Sequence, residues 1–272
     1  MKIIFIIMYI CSAMIGIFDS GAGGLSVFRE IRKLLPQASY IYYSDNAHCP
    51  YGEKTKEYII ERSRIISDFL LSKGARIIVV ACNTATAAAI STLRSEYPEI
   101  PFIGMEPAIK PAALSTRTGV IGVLATAGTL KADKYLINRG RWAENVRIVE
   151  HIGQGFVEAV EKGMTDGPEV ESIVRESLVP LLNEGADRIV LGCTHYPFLT
   201  DTIKKVASEL YPERETQIID PAPAVARHLL EVMKERGIRP KDNEQYSMEL
   251  HSSGDPSCLK KTYLDLLQMD QN

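Results

Sequence analysis

Lys73-Gly-Ala-Arg-Ile-Ile-Val-Val-Ala-Cys-Asn-Thr84 and Glu184-Gly-Ala-Asp-Arg-Ile-Val-Leu-Gly-Cys-Thr-His195 are two versions of one pattern. Each closes a helical stretch at Gly-Ala and runs through a short apolar segment of strand length. Each then ends on a cysteine followed by polar residues. A second pair lies almost the same step apart. Ile15-Gly16-Ile17-Phe18-Asp19-Ser20 matches Ile121-Gly122-Val123-Leu124-Ala125-Thr126. Two independent matches at nearly one offset predict two similar halves. Apolar residues at consecutive positions, without alternation, are the mark of strands covered on both faces in a parallel sheet.

Outward from these segments, short apolar runs alternate with amphipathic stretches along the chain. Strands are predicted at Ile15–Phe18, Tyr40–Ser44, Ile77–Ala81, Phe102–Met105, Val120–Leu124, Val146–Glu150, Arg188–Gly192 and Gln217–Asp220. Helical patterns such as Leu25–Leu35, Lys56–Lys73 and Thr84–Glu96 lie between them. Strand–helix–strand order at this spacing predicts an α/β fold of two similar domains. Each is a mainly parallel sheet flanked by helices, and the two are related by a pseudo-twofold axis. Domain one is expected to hold residues 14–110 and to take back 221–272, with Tyr246–Ser252 a strand and Pro256–Leu267 a closing helix. Domain two is expected over 111–220. Ligands of such sheets bind beyond the carboxyl ends of the strands, so the expected site is the cleft between the domains.

The bulk composition excludes several classes. The 272 residues are 46% hydrophobic and 24% charged, enough apolar surface to bury a core and not the balance of a disordered chain. The formal net charge of -3 is unlike the basic balance of a nucleic-acid binder, so no nucleic-acid partner is expected. Five cysteines, none in a C-x-x-C spacing, argue against a zinc knuckle, a dithiol motif or a disulfide framework. Free thiols point to a reducing, cytoplasmic setting. Residues 1–13 are read as a non-native or disordered extension ahead of Met14. Their apolar run, Ile3 to Cys11, has the length of a signal-peptide core and is too short for a membrane span. No membrane partner is expected.

Cys82 and Cys193 end equivalent strands and would face each other across a cleft. A thiol at a helix N-terminus is expected to have its pKa lowered toward the thiolate, a competent base and nucleophile. A lone cysteine is more often an inert small hydrophobe, and Cys11, Cys49 and Cys258 are read so. His195, two residues after Cys193, can orient or deprotonate a thiol, bind a carboxylate, or serve as a hydrogen-bonded core residue. The loop Asp19-Ser20-Gly21-Ala22-Gly23-Gly24 lacks the dinucleotide spacing. Its glycines permit positive φ and close approach of the backbone to a small anion. Pro50-Tyr51-Gly52 reads as a turn. Trp142 and the charge run Lys131–Arg141 read as packing and solvated surface. Pyridoxal, zinc-protease, P-loop and nucleophile-elbow patterns are not written in the sequence.

Four motifs occur in a fixed order: Asp19-Ser20-Gly21-x-Gly23-Gly24-Leu25, Pro50-Tyr51-Gly52, Ala81-Cys82-Asn83-Thr84-Ala85 and Gly192-Cys193-Thr194-His195-Tyr196-Pro197. Together they resemble the glutamate racemases of the aspartate/glutamate racemase family, over about residues 14–270. The resemblance implies a cofactor-independent, metal-free isomerase that interconverts L- and D-glutamate by two bases, supplying D-glutamate for peptidoglycan and so for cell-wall biogenesis and cell shape. It implies that Cys82 abstracts the α-proton of the D-isomer and Cys193 that of the L-isomer. Asp19 then assists the first and His195 the second. Asp19, Ser20, Tyr51, Gly52, Asn83, Thr84, Thr194 and His195 match positions that hold the amino acid. Glu161 aligns best with the family's assisting glutamate, with Glu158 close by. A homodimer is expected from the same likeness. Two departures stand out: Cys49, an unusual choice beside the Pro50 loop and expected to be a bystander, and the amino-terminal extension. An aspartate, hydantoin or maleate-like substrate, and a catalytically silent dicarboxylate-binding protein, are the competing readings.

Overall fold

A computed structural model describes residues 14–239 and 246–269, so residues 1–13, including Cys11, lie outside the described residues. In chain order the elements are β1 (Met14–Asp19), α1 (Leu25–Leu34), β2 (Ser39–Ser44), α2 (Lys56–Ser72), β3 (Ala75–Val80), α3 (Asn83–Glu96) and β4 (Phe102–Ile103). Then come α4 (Ile109–Ser115), β5 (Val120–Ala125), α5 (Ala127–Lys131), α6 (Asp133–Trp142), β6 (Arg147–Ile152), α7 (Phe156–Glu161) and α8 (Pro168–Asn183). The last are β7 (Arg188–Gly192), α9 (Thr200–Leu210), β8 (Gln217–Ile219), α10 (Ala222–Glu235), β9 (Ser247–Ser252) and α11 (Ser257–Met269). Among the described residues no helix is long and apolar enough to cross a membrane.

Among the described residues two sheets form, ordered β4-β3-β1-β2-β9 and β6-β5-β7-β8, with every pairing parallel. The order repeats. In the first sheet β1 lies between β2 and β3, and β4 flanks β3. In the second β5 lies between β6 and β7, and β8 flanks β7. β3 and β7, the strands that precede the two motif cysteines, therefore hold equivalent places. β9 adds to the free edge of β2, and α10 packs beside α1, returning the chain to the first sheet.

The continuous apolar runs are explained by two-sided burial. In the first sheet Ile15, Ile17, Ile77 and Val79 face one core, while Phe18, Ile78 and Val80 face the other. In the second, Leu124, Ile189 and Leu191 face one core, while Ile121, Val123 and Val190 face the other. The repeated glycine has the same reason in both halves. A methyl at Gly16 would press on Leu70 of α2, and one at Gly122 on Leu181 of α8, at 3.2–3.3 Å and 3.0–3.2 Å. Each glycine lets a helix lie close on its central strand.

Candidate active site

The strand ends converge on one small cavity. Ser20, Tyr51, Gly52, Cys82, Asn83, Thr84, Cys193, Thr194 and His195 all line it, joined by Pro50, Thr126 and Val157. Its volume is about 10 Å³, room for roughly one water. Asp19 lies behind this wall, fully buried at the end of β1.

Cys82 is the N-cap of α3, and the cap is the sulfur itself: Ala85 N–H donates to Sγ at 3.4 Å. The Cys82 thiol faces Ser20 Oγ at 3.9 Å, and Ser20 Oγ faces Asp19 Oδ1 at 3.5 Å. The expected lowering of this thiol's pKa does not hold. Burial raises it well above the ordinary value and the nearby Asp19 adds to the rise, against the opposing Ala85 N–H. Burial also raises Asp19, against the opposing charge of His195. Loss of hydration outweighs one helix terminus in a site this dry.

Cys193 directly follows β7, but no α-helix comes at once. A short 3-10 turn, Tyr196–Leu199, intervenes before α9. Its Sγ lies 3.7 Å from His195 Nδ1. The other ring nitrogen, Nε2, is 2.6 Å from Glu161 Oε1. Glu161 reaches this point because Gly155, in the left-handed region at φ 79°, turns the chain into α7. Glu158, one turn earlier on the same helix, lines two neighbouring pockets, one of them shared with Glu161. Burial disfavours charge on both partners, yet their pairing outweighs it. His195 is raised well above the usual imidazole range by Cys193 and Glu161, and Glu161 is held below the usual carboxylate value by His195 and the Ala22 N–H.

The glycine loop departs from expectation. None of Gly21, Gly23 and Gly24 has positive φ. The anions its backbone approaches are the protein's own carboxylates: Ala22 N–H donates to Glu161 Oε1 at 2.7 Å, and Gly24 N–H to Asp19 Oδ2 at 2.7 Å. The glycines are small because side chains lie directly on them. A methyl at Gly23 would fall 2.6 Å from His195 Cγ and Cε1, and one at Gly24 2.6 Å from the Tyr42 hydroxyl.

Contacts between the halves close the cleft. Thr194 Oγ1 donates to Asp19 Oδ2 at 3.2 Å, and Ser26 Oγ of α1 donates to the Thr194 carbonyl at 2.9 Å. Thr84, Thr126 and Thr129 form a hydroxyl triangle with sides of 2.9–3.3 Å. Gly52 packs against Thr126, where a methyl would meet Cβ at 2.9 Å. The Tyr51 loop is anchored by Asp45, which accepts from Tyr51 Oη at 2.5 Å and bidentately from Arg62 at 2.8–2.9 Å.

Asn83 stands apart. Both ends of its amide are buried in the cavity wall without a hydrogen-bond partner. A buried amide left unpaired is costly, so this pattern points to a ligand that offers both a donor and an acceptor.

Sequence reasoning missed Thr126, Thr129, Asp45, Arg62 and Ser26. Thr126 carried a signal, being the counterpart of Ser20 in the repeat, and Asp45 directly follows β2. Arg62 and Ser26 lie inside helices and gave none. Cys49 is also nearer than expected. Its Sγ, Glu161 and His195 bring ligand-capable atoms within 4.8 Å of one another.

Fold and cleft together define a two-sheet α/β protein of the paired-thiol class, with one cysteine at the end of each equivalent strand. The chain belongs to the Asp/Glu/Hydantoin racemase family, whose model matches residues 15–229. It is 48% identical over 251 residues to a glutamate racemase of Stutzerimonas stutzeri, covering 92% of each chain. It is 49% identical over 231 residues to one of Pseudomonas aeruginosa, covering 85% of each. Among solved structures, a Bacillus anthracis glutamate racemase isoform matches with TM-score 0.82 and 33% identity over 94% of each chain. An Escherichia coli glutamate racemase, in complex with L-glutamate and the activator UDP-MurNAc-Ala, matches with TM-score 0.82 and 32% identity, covering 94% of this chain and 95% of that one.

Proposed function

We infer that this chain is a glutamate racemase, an isomerase that interconverts L- and D-glutamate and supplies D-glutamate for peptidoglycan. The observation that carries the reading is the placement of Cys82 and Cys193 at equivalent strand ends of two sheets, lining one cavity. Two opposed thiols are what proton transfer on both faces of one carbon requires. A single base would return the proton to the face it left.

In this reading the α-carbon sits between the two sulfurs. Starting from D-glutamate, the Cys82 thiolate takes the α-proton and the Cys193 thiol gives its proton to the opposite face. Starting from L-glutamate the roles reverse. Asp19 assists Cys82 through Ser20. His195 assists Cys193, and Glu161 rather than Glu158 holds that imidazole in place and protonated. The hydroxyls of Ser20, Thr84 and Thr194, the Asn83 amide and the Tyr51–Gly52 loop take the substrate's carboxylates and ammonium. Donors fixed around the α-carboxylate carry the carbanion's charge, more strongly because the closed site is dry. A cavity of about 10 Å³ is far too small for glutamate, so the two halves part to admit substrate and close on it. The same reading takes residues 14–110 with 221–272, and 111–220, as the moving units. It takes the working form as a cytoplasmic homodimer, which sedimentation velocity tests.

The test is incubation of the purified chain with L-glutamate in heavy water with no cofactor added, following optical activity and α-proton loss together. Loss of both, with deuterium in the product, is expected. Activity on aspartate alone would move the substrate assignment. Tight glutamate binding without turnover would replace the enzyme with a binding protein.

A further inference from the structure

Cys49, Glu161 and His195 form a group that the racemisation scheme does not use as a unit. Cys49 Sγ, a Glu161 carboxylate oxygen and a ring nitrogen of His195 lie within 4.8 Å of one another, and His195 Nε2 is 2.6 Å from Glu161 Oε1. Thiolate, imidazole and carboxylate are the donors zinc takes, at about 2.3, 2.0 and 2.0–2.2 Å. Tetrahedral geometry at those lengths sets donor separations of roughly 3.3–3.6 Å, so each present separation is within about 1.3 Å of what a zinc ion needs. The surrounding contacts orient the donors. Ala22 N–H fixes the Glu161 carboxylate at 2.7 Å, and His195 Nδ1 is turned toward Cys193, which leaves Nε2 on Glu161.

A second observation points the same way. Cys49 and Glu161 line a cavity of about 280 Å³ together with Cys258, Glu158 and Asp255. Among the described residues the lining holds two thiols and three carboxylates and no basic residue. Such a vestibule attracts a small cation and brings it to Cys49 and Glu161, with His195 behind Glu161, and leaves a fourth coordination position open.

We propose that Cys49, Glu161 and His195 form an inhibitory site for a thiophilic divalent cation of the zinc type, entered from the Cys49–Cys258 pocket. As the metal–ligand bonds form, the Cys49 thiol and the protonated His195 imidazole, at Nε2, each release a proton to solvent. The ion takes the Nε2 position now hydrogen-bonded to Glu161 and holds both side chains in its coordination shell. His195 is then no longer available to pass a proton to Cys193, and turnover stops until the metal leaves.

The experiment titrates the full-length chain with zinc chloride, measuring bound metal by equilibrium dialysis and racemisation in parallel. Cobalt chloride in place of zinc reports thiolate ligation through its near-ultraviolet charge-transfer band. Wild type is expected to bind one equivalent at this site and to lose activity as it fills. Cys49→Val is expected to racemise at the wild-type rate in chelator, to lose that equivalent and the cobalt–thiolate band, and to need at least about 10-fold more zinc for inhibition. If the valine variant does not fold, Cys49→Ser serves the same comparison. Wild-type zinc binding and inhibition in both Cys49 variants would overturn the proposal by assigning the metal to Cys82 and Cys193. So would the absence of binding in wild type. Metal binding is read without turnover, so failure of the racemase assignment would leave the dialysis and cobalt results interpretable.

Discussion

Replacing Gly23 by alanine isolates the role of His195 without touching a reacting group. Gly23 does not have positive φ, so alanine meets no backbone penalty there. The obstacle is a side chain. The added methyl would lie 2.6 Å from His195 Cγ and Cε1. Carbon atoms pack best at about 3.5–4.0 Å, so the ring must retreat by about 1 Å. It has nowhere open to go, being 1% exposed and tied through Nε2 to Glu161. Retreat lengthens the 3.7 Å contact with Cys193. A misplacement of about 1 Å in a catalytic array costs on the order of 100-fold in rate, or about 2.7 kcal/mol of barrier. Overpacking of this kind costs roughly 1–3 kcal/mol of stability, within what a domain of ordinary stability tolerates. The loss in kcat/KM must be equal for L- and D-glutamate, because mirror-image substrates are isoenergetic in water and the two ratios are locked together. Circular dichroism followed from each enantiomer measures both, and a thermal melt checks the fold. A folded Gly23→Ala variant with wild-type kcat/KM would refute the claim that the glycine exists to seat His195.

Further outcomes follow from the same geometry. Cys82→Ala and Cys193→Ala are each expected to abolish racemisation while leaving α-proton exchange with one isomer only, D-glutamate for Cys193→Ala and L-glutamate for Cys82→Ala. Nuclear magnetic resonance in heavy water reads this, and full activity in either variant would sink the two-base scheme. Asn83→Ala removes an amide buried without partners, so the ligand-free protein should gain about 1 kcal/mol in urea unfolding while KM rises by roughly 10-fold or more. A destabilised variant with unchanged KM would contradict that assignment. In Glu161→Gln the imidazole loses its anionic partner, so the raised pKa of His195 should fall and the alkaline limb of the kcat/KM profile should move to lower pH. The His195–Glu161 pairing stabilises the fold fully below the ordinary imidazole range and less as pH rises through the raised pKa. The variant should therefore lose most stability at the acid side of that window and least above it. An unmoved alkaline limb would remove Glu161 from its proposed role.

The sheets and their duplication are written in local residue patterns. Two-sided burial leaves unbroken apolar runs, and the shared Gly-Ala, strand, cysteine pattern marks β3 and β7 as counterparts. All the predicted strands form, with ends moved by two residues at most. The rule that ligands bind beyond strand ends likewise brought Ser20, Cys82 and Cys193 to attention, because that chemistry is local to one strand and its following turn. Features that depend on distance between remote segments emerge only when the chain is folded. The choice of Glu161 as the partner of His195, rather than Glu158, turns on which carboxylate reaches Nε2, and the spacing of α7 alone does not reveal it. The glycine loop was legible as a place of close approach. That it receives the protein's own carboxylates and the His195 ring requires both halves in place. The raised pKa of the Cys82 thiol is of the same kind. A helix N-terminus is visible in sequence, but the burial that overrides it comes from residues of both sheets closing over one cavity.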